Sequence, residues 1–348
     1  MNRTEAASLS HRFLPAPVQG GFRMEGWWVW CGSCVRGEDG RWHLFASRWP
    51  KTVPMHPGWV FRSEVVRAVA DRPEGPYEFQ EVVLPARSHH NFDGRMTHNP
   101  TIHKHGDTYL LFYIGCTINA EPPSPDRHPG HEDDYGRQVW HNKRIGLATS
   151  KSVFGPWTRH DEPLLLPRSG KWDCTITSNP APCVMPDGSV YLIYKSSAPA
   201  PGHYGPFQLG IAHAPHWSGP YTRLVDGPVF DWGDAFKHVE DPFLWHDGEL
   251  FHAIMKDMTG ALCGEAHGGL HMVSEDARAW RTAEVPLAYS RNILWDDGVR
   301  RTMGSFERPQ LLIQNGVPTH LFAATADGPG GFMAAGSTWN MVVPLAGT

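Results

Sequence analysis

The stretch FDGRMTHNP, Phe92–Pro100, returns 80 positions later as WDCTITSNP, Trp172–Pro180. Both run aromatic, Asp, three residues, Thr, one residue, Asn-Pro. The residues after each phrase match as well. After Asn99-Pro100 come TIHK, the turn HGDT, YLLFY, a long polar connection, RIGLATS and FGPWTRH. After Asn179-Pro180 come APCVM, PDGS, YLIYK, a shorter connection, LGIAHA and SGPYTRL. From Asp241-Pro242 the same order reads FLW, HDGE, LFHAIMK, GLHMVS and ARAWRTA. From Arg308-Pro309 it reads QLLI, QNGV, PTHLFAAT and STWNMVVPL. A more worn first copy reads VWCGSCV, GEDGR, WHLFAS, VVRAVA and EGPYEFQ.

Five copies thus succeed one another at roughly 60 to 80 residues, each made of short β-type runs joined by DG, NG or GD turns. Four short antiparallel strands per unit, repeated about an axis, is the pattern of propeller blades. Two β-sandwiches end to end would not share this internal order. The expected fold is all-β, a single five-bladed β-propeller over 1–348. Its blades fall near 25–90, 91–165, 166–228, 229–290 and 291–348, after an N-terminal extension at 1–24.

Loop lengths orient it. The first-to-second and third-to-fourth turns are tight, whereas the second-to-third connections are long. The long ones include RWPKTVPMHPGWVFRSE and GCTINAEPPSPDRHPGHEDDYGRQVWHNK. Binding groups concentrate on elaborated loops carried by a rigid scaffold, so the long-loop face is the expected working face.

Composition narrows the function classes. The 348 residues are 41% hydrophobic and 19% charged, with a net charge of -5. That balance offers no electrostatic case for nucleic acid or a membrane surface. No apolar run approaches the roughly 20 residues of a membrane helix. The opening MNRTEAASLSHRFLPAPVQGG lacks an apolar signal core, which points to the cytoplasm. Six cysteines include one CxxC, Cys31 and Cys34, without a second pair at zinc spacing. They are expected to be buried structural thiols. No cofactor or metal is expected.

Carboxylates recur at one place in the repeat. Asp93 precedes Asn99 by six residues and Asp173 precedes Asn179 by six. Glu25 stands likewise before Cys31, and Asp234 before Glu240. Glu240, Asp241 and Glu307 sit at strand starts beside the expected axis. Converging carboxylates in a concavity suit glycosidic hydrolysis, where one acid stays protonated and another ionised. Capping of turns in each blade is the alternative use of such residues.

Bases gather as well. Lys195 and Lys256 end equivalent second strands, Arg48 holds a similar place, and Arg95 and Arg308 flank the Asn and Asp positions. They either recognise an anionic sugar or neutralise the acids. His98 and His238, with His89 and His90 nearby, suit hydroxyl recognition. Trp28, with Trp27 and Trp30, could form a stacking wall.

The copies NPTIHKHGDTYLLFY, VEDPFLWHDGELFHAI and FERPQLLIQNGVPTHLF resemble the five-bladed propeller glycoside hydrolases of families 43, 62, 32 and 117, over nearly the whole chain from about residue 25. In the family-43-like pattern, first-strand aspartates of blades one and two serve as base and pKa modulator, and a blade-three glutamate as acid. The matching positions here hold Cys31, Asn99 and Asn179. The acids therefore either shift to Glu25, Asp93 and Asp173, or move to Glu240, Asp241 and Glu307, with a histidine acid as family 117 implies.

The expectation is an exo-acting glycoside hydrolase on a short oligosaccharide, with an anionic sugar as one candidate. It places Asp173 or Asp93 as base, Glu240 as acid and Glu25 or Glu307 as pKa modulator. The resemblance implies inversion. Arg95, His98, Asn99, Asn179, Lys195, His238, Asp241, Lys256, Arg308 and Trp28 are the expected substrate contacts. Two rivals stay open: a lyase with a His or Lys base acting beside a uronate carboxylate, and a non-catalytic sugar-binding propeller.

Overall fold

Runs such as YLLFY and YLIYK lack an exposed side because each blade is packed on both faces by its neighbours. In the computed structural model, which describes residues 8–118, 134–200, 203–230, 232 and 238–347, they become the inner part of the second strands Thr108–Cys116 and Val190–Ser196. Four sheets have four antiparallel strands each, spanning 27–84, 96–159, 178–223 and 239–289. The fifth spans 305–344. First strands touch the first strands of both neighbouring blades, and the fifth touches the first, so the five sheets close into a ring.

The hydrophobic core is accordingly divided among five wedges. Phe45, Val65, Tyr109 and Leu111 pack between blades one and two. Leu110, Phe112, Leu192 and Tyr194 fill the next wedge, and Ile193, Ile211, Leu244 and Met255 the third. Ile254, Tyr289, Phe306 and Leu321 occupy the fourth. Val29, Leu44, Phe322 and Val342 join the last blade to the first.

The fifth blade departs from the four-strand expectation, since it has three strands, Ser305–Gln314, Val317–Ala326 and Thr338–Pro344. Its outer edge is covered by the N-terminal segment instead. Phe22 and Asn340 exchange both backbone hydrogen bonds, at 2.9 and 3.0 Å, and Phe13 bridges Leu345. Gly21 has φ +74°, and any Cβ there would overlap the Asn340 carbonyl oxygen. The extension is therefore a working part of the ring, holding the start of the chain to its end.

Candidate active site

Every first strand carries a β-bulge, at residues 31–32, 99–100, 179–180, 241–242 and 308–309. This is where the Asn-Pro phrase falls. The first bulge residue is left-handed in all five blades: Cys31, Asn99, Asn179, Asp241 and Arg308 have φ between 51° and 58°. Asn and Asp tolerate that region better than most side chains. The second is proline in four blades, which is permitted because a bulge interrupts the ladder and requires no N–H.

The left-handed turn sends these five side chains to the axis, where they bond to one another. The Cys31 thiol donates to Asn99 Oδ1 at 2.7 Å. Asn99 Nδ2 donates to Asn179 Oδ1 at 3.0 Å, and Asn179 Nδ2 donates to Asp241 Oδ1 at 2.8 Å. Arg308 Nη1 donates to the same Asp241 oxygen at 3.2 Å, and its guanidinium also faces Cys31. Burial pushes the Cys31 thiol up to about 12, which keeps its proton in place for donation. The result is a five-membered polar floor across the channel.

The aspartate of the repeated phrase has a different task. Asp93 is fully buried and bonded to Arg87 at 2.6 Å, Arg159 at 3.0 Å and the Tyr113 hydroxyl at 2.8 Å. Asp173 repeats the knot with Arg168 at 2.9 Å, Arg223 at 2.6 Å and Tyr194 at 2.8 Å. The aromatic before each aspartate stacks on that tyrosine: Phe92 on Tyr113 at 6.1 Å, and Trp172 on Tyr194 at 6.0 Å. Gly146 and Gly210 lie beside these rings, where an added Cβ would overlap them. The threonine is also structural, Thr97 donating to the Leu84 carbonyl and Thr177 to that of Leu165. The phrase is thus a buckle that fastens the incoming chain to its blade and delivers one asparagine to the axis.

This removes Asp93 and Asp173 from the place expected of a base, since neither lines the cavity above the floor. Glu25 is on the exposed surface. Asp234 lies outside the described residues. Single residues at matching sequence positions need not share a destination, and two arginines per aspartate decide this one.

The cavity has a volume of about 400 Å³ and lies on the long-loop face. Its lower wall is built from residues directly before the floor residues, namely Trp30, His98, Glu240 and Glu307, together with Lys195 and Lys256. Lys195 pairs in register with Ser178, and Lys256 with Glu240, so both lysines stand at the same height. Lys256 Nζ binds Glu307 at 2.8 Å, Glu240 at 3.2 Å and Asp241 at 3.7 Å. Lys195 Nζ reaches the other Glu240 oxygen at 3.0 Å.

This arrangement drives the two glutamates apart. Burial raises both, but the charges and hydrogen bonds of Lys195 and Lys256 override it at Glu240, which is held well below the usual carboxylate range. At Glu307 burial prevails over the single lysine, with Asp241 and Glu240 adding repulsion, and its carboxyl is raised. His98 is held neutral by burial and by the charges of Arg308, Lys143 and Lys195. Its Nδ1 is hydrogen-bonded to Ser63 Oγ at 2.7 Å, and its ring stacks on Trp59 at 4.6 Å.

Of the expected contacts, His98, Asn99, Asn179, Lys195, Asp241, Lys256 and Arg308 meet here, with Glu240 and Glu307. Arg95, His238 and Trp28 are not part of the lining. Trp28 is buried beneath the rim with its indole N–H donated to the Val53 carbonyl at 2.9 Å. Arg48 sits one register step from the lysine position, opposite Val29. It turns outward to Glu64 at 2.9 Å and stacks over Trp27 at 3.9 Å.

The long connections supply residues that the sequence pattern did not single out: Met55, His56, Trp59, Trp140, Lys143, Phe207, Met258 and Phe332. Lys143 Nζ lies 3.8 Å from the Trp140 ring centre, and burial with the nearby Lys195 holds its pKa well below the ordinary value. Their only advance signal was membership of a long loop on the working face.

No family profile and no curated protein matches this chain. Solved structures do match. Zg3597, a family 117 glycoside hydrolase from the marine bacterium Zobellia galactanivorans, aligns with a TM-score of 0.65 at 14% identity, over 96% of this chain and 89% of its own. A thermostable family-43 glycoside hydrolase aligns at 0.60 and 15%, over 96% of each. An alpha-L-arabinofuranosidase from Lactobacillus brevis aligns at 0.57 and 14%, over 96% of this chain and 93% of its own. At such identities what is shared is the five-bladed fold.

Proposed function

We propose that this chain is a glycoside hydrolase that removes a terminal sugar, with Glu240 and Glu307 as its carboxylate pair. The observation that carries the reading is one cavity holding two glutamates around a shared lysine, with a second lysine on Glu240 alone, which separates their affinities for a proton. Glycosidic cleavage needs this division of labour. Glu307, the raised member, donates its proton to the departing glycosidic oxygen. Glu240, kept ionised by two ammonium groups, acts at the anomeric carbon. These roles exchange the acid assignment expected from sequence, where Glu240 was the donor.

Three finer features belong to the same reading. The hydrogen-bonded floor blocks the channel beneath the cavity, which favours a chain end over a mid-chain segment and hence exo action. The 2.8 Å and 3.2 Å bonds to one nitrogen, laid end to end, keep the nearest Glu240 and Glu307 oxygens within about 6 Å. That bound falls between the about 5–5.5 Å of retaining pairs and the about 6.5–9.5 Å of inverting ones, so the anomer of the first product decides between retention and the inversion implied by resemblance. Lys195, Lys256 and Arg308 each have an acidic partner, which favours the neutralising role of the basic groups over recognition of an anionic sugar.

The test is a panel of neutral and anionic oligosaccharides and aryl glycosides, with products identified by mass and first-product anomers by NMR. Hydrolysis adds water, while elimination does not. On a cleaved substrate, Glu240→Gln and Glu307→Gln are each expected to lower kcat by about 100-fold or more. Full activity in both variants would remove the assignment.

A further inference from the structure

The cavity changes character with height. Side chains carried by the strands are mostly polar, whereas among the described residues those from the connections are mostly apolar. Met55, Trp59, Trp140, Phe207, Met258 and Phe332 come from connections in all five blades, so they encircle the mouth. Part of this circle is continuous aromatic contact. Trp59 meets Trp140 edge-on at 5.2 Å, His56 lies 5.7 Å from Trp140 and 5.8 Å from Phe332, and Phe332 meets Trp30 at 6.1 Å. Met333, next to Phe332 in the chain, is 68% exposed.

This mouth has more apolar surface than groups that read hydroxyls. The Trp59 indole N–H is taken by His56 Nδ1 at 3.2 Å and the Trp49 and Trp140 indole nitrogens are buried, so His56 and Lys143 are the polar residues that the connections bring to the lining. A second sugar ring seated there would lose water from several hydroxyls and find few partners in exchange beyond His56 and Lys143. An aromatic or alkyl group would instead bury apolar area against rings and thioethers.

We infer that the mouth is a leaving-group site for an apolar alcohol, an aryl-alkyl aglycone or an equivalent apolar substituent, while the polar base holds the sugar. The inference rests on the hydrolase reading of this cavity for the term leaving group, but the apolar site can be tested without turnover. Paired benzyl and methyl 1-thioglycosides of arabinose, xylose, galactose and fucose, whose sulfur link resists hydrolysis, would be titrated calorimetrically into the full chain. The benzyl member of a binding pair is expected to be tighter by about tenfold, equivalent to burying roughly two methylene groups. Phe332→Ala and, separately, Met258→Ala should narrow that gap, with a thermal melt confirming that each variant is folded.

Equal affinity within pairs would overturn the inference, as would absence of binding by every ligand. A disaccharide thioglycoside binding more tightly than the benzyl one would also overturn it. Turnover of the matching benzyl O-glycosides is measured separately. A benzyl preference without turnover keeps the apolar mouth and removes the hydrolase reading, whereas turnover without the preference does the reverse.

Discussion

A carboxylate sealed from water must find its partners where it sits. Asp93 does so with two guanidinium groups and a tyrosine hydroxyl. Replacing it by asparagine leaves two half-buried arginines short of an anion that is itself fully buried, a change worth about 3–5 kcal/mol. Asp93→Asn is expected to fall by that amount in urea unfolding while activity per folded molecule is retained. Glu307 behaves oppositely, because its charged form is the disfavoured one. As the proton donor it would act below its raised pKa, so activity should decline as pH rises through that value. Asp241 is one cause of the elevation. Asp241→Asn should therefore move the alkaline limb of the kcat profile toward lower pH, and a limb that stays in place would separate Glu307 from the proton transfer.

At the scale of the strand, the left-handed bulge is the device that turns a blade edge into a functional surface. An ordinary strand would alternate its side chains between the two neighbouring blades. The bulge breaks that alternation and points one residue along the channel. Asn179 serves both needs, adopting φ 51° and holding three hydrogen bonds with Asn99, Ser178 and Asp241. Alanine and glycine at this site lose the same side-chain bonds but differ in backbone freedom. Asn179→Ala is expected to be less stable than Asn179→Gly by about 1 kcal/mol in denaturant unfolding. The reverse order would mean that the bulge conformation is not under strain.

Across the whole molecule, five apolar wedges support each other only if the ring stays closed. Closure is assigned to the contact of blade five with blade one and to the N-terminal segment along the outer edge. Phe22 is buried in that last wedge. Phe22→Ala should cost about 3–5 kcal/mol and lower Tm markedly. A variant with an unchanged melting temperature would show that the segment only decorates the fifth blade.

The sequence by itself determined the repeat, the count of blades, the tight and elaborated faces, and the strand starts that reach the axis. These arise from local chemistry: turn residues, β-type runs and proline at a bulge act within a few positions. It also brought Glu240 and Glu307 into consideration through their places in the repeat. It could not decide which carboxylates remain available, since Asp93 and Asp173 look equivalent to site residues until Arg159 and Arg223 arrive from a distant strand. Nor did it single out Trp59, Trp140, Lys143 or Phe332, which come from irregular connections without a period. Only the closed ring brings those groups within a few ångströms, and at that distance burial and charge choose between scaffold and site.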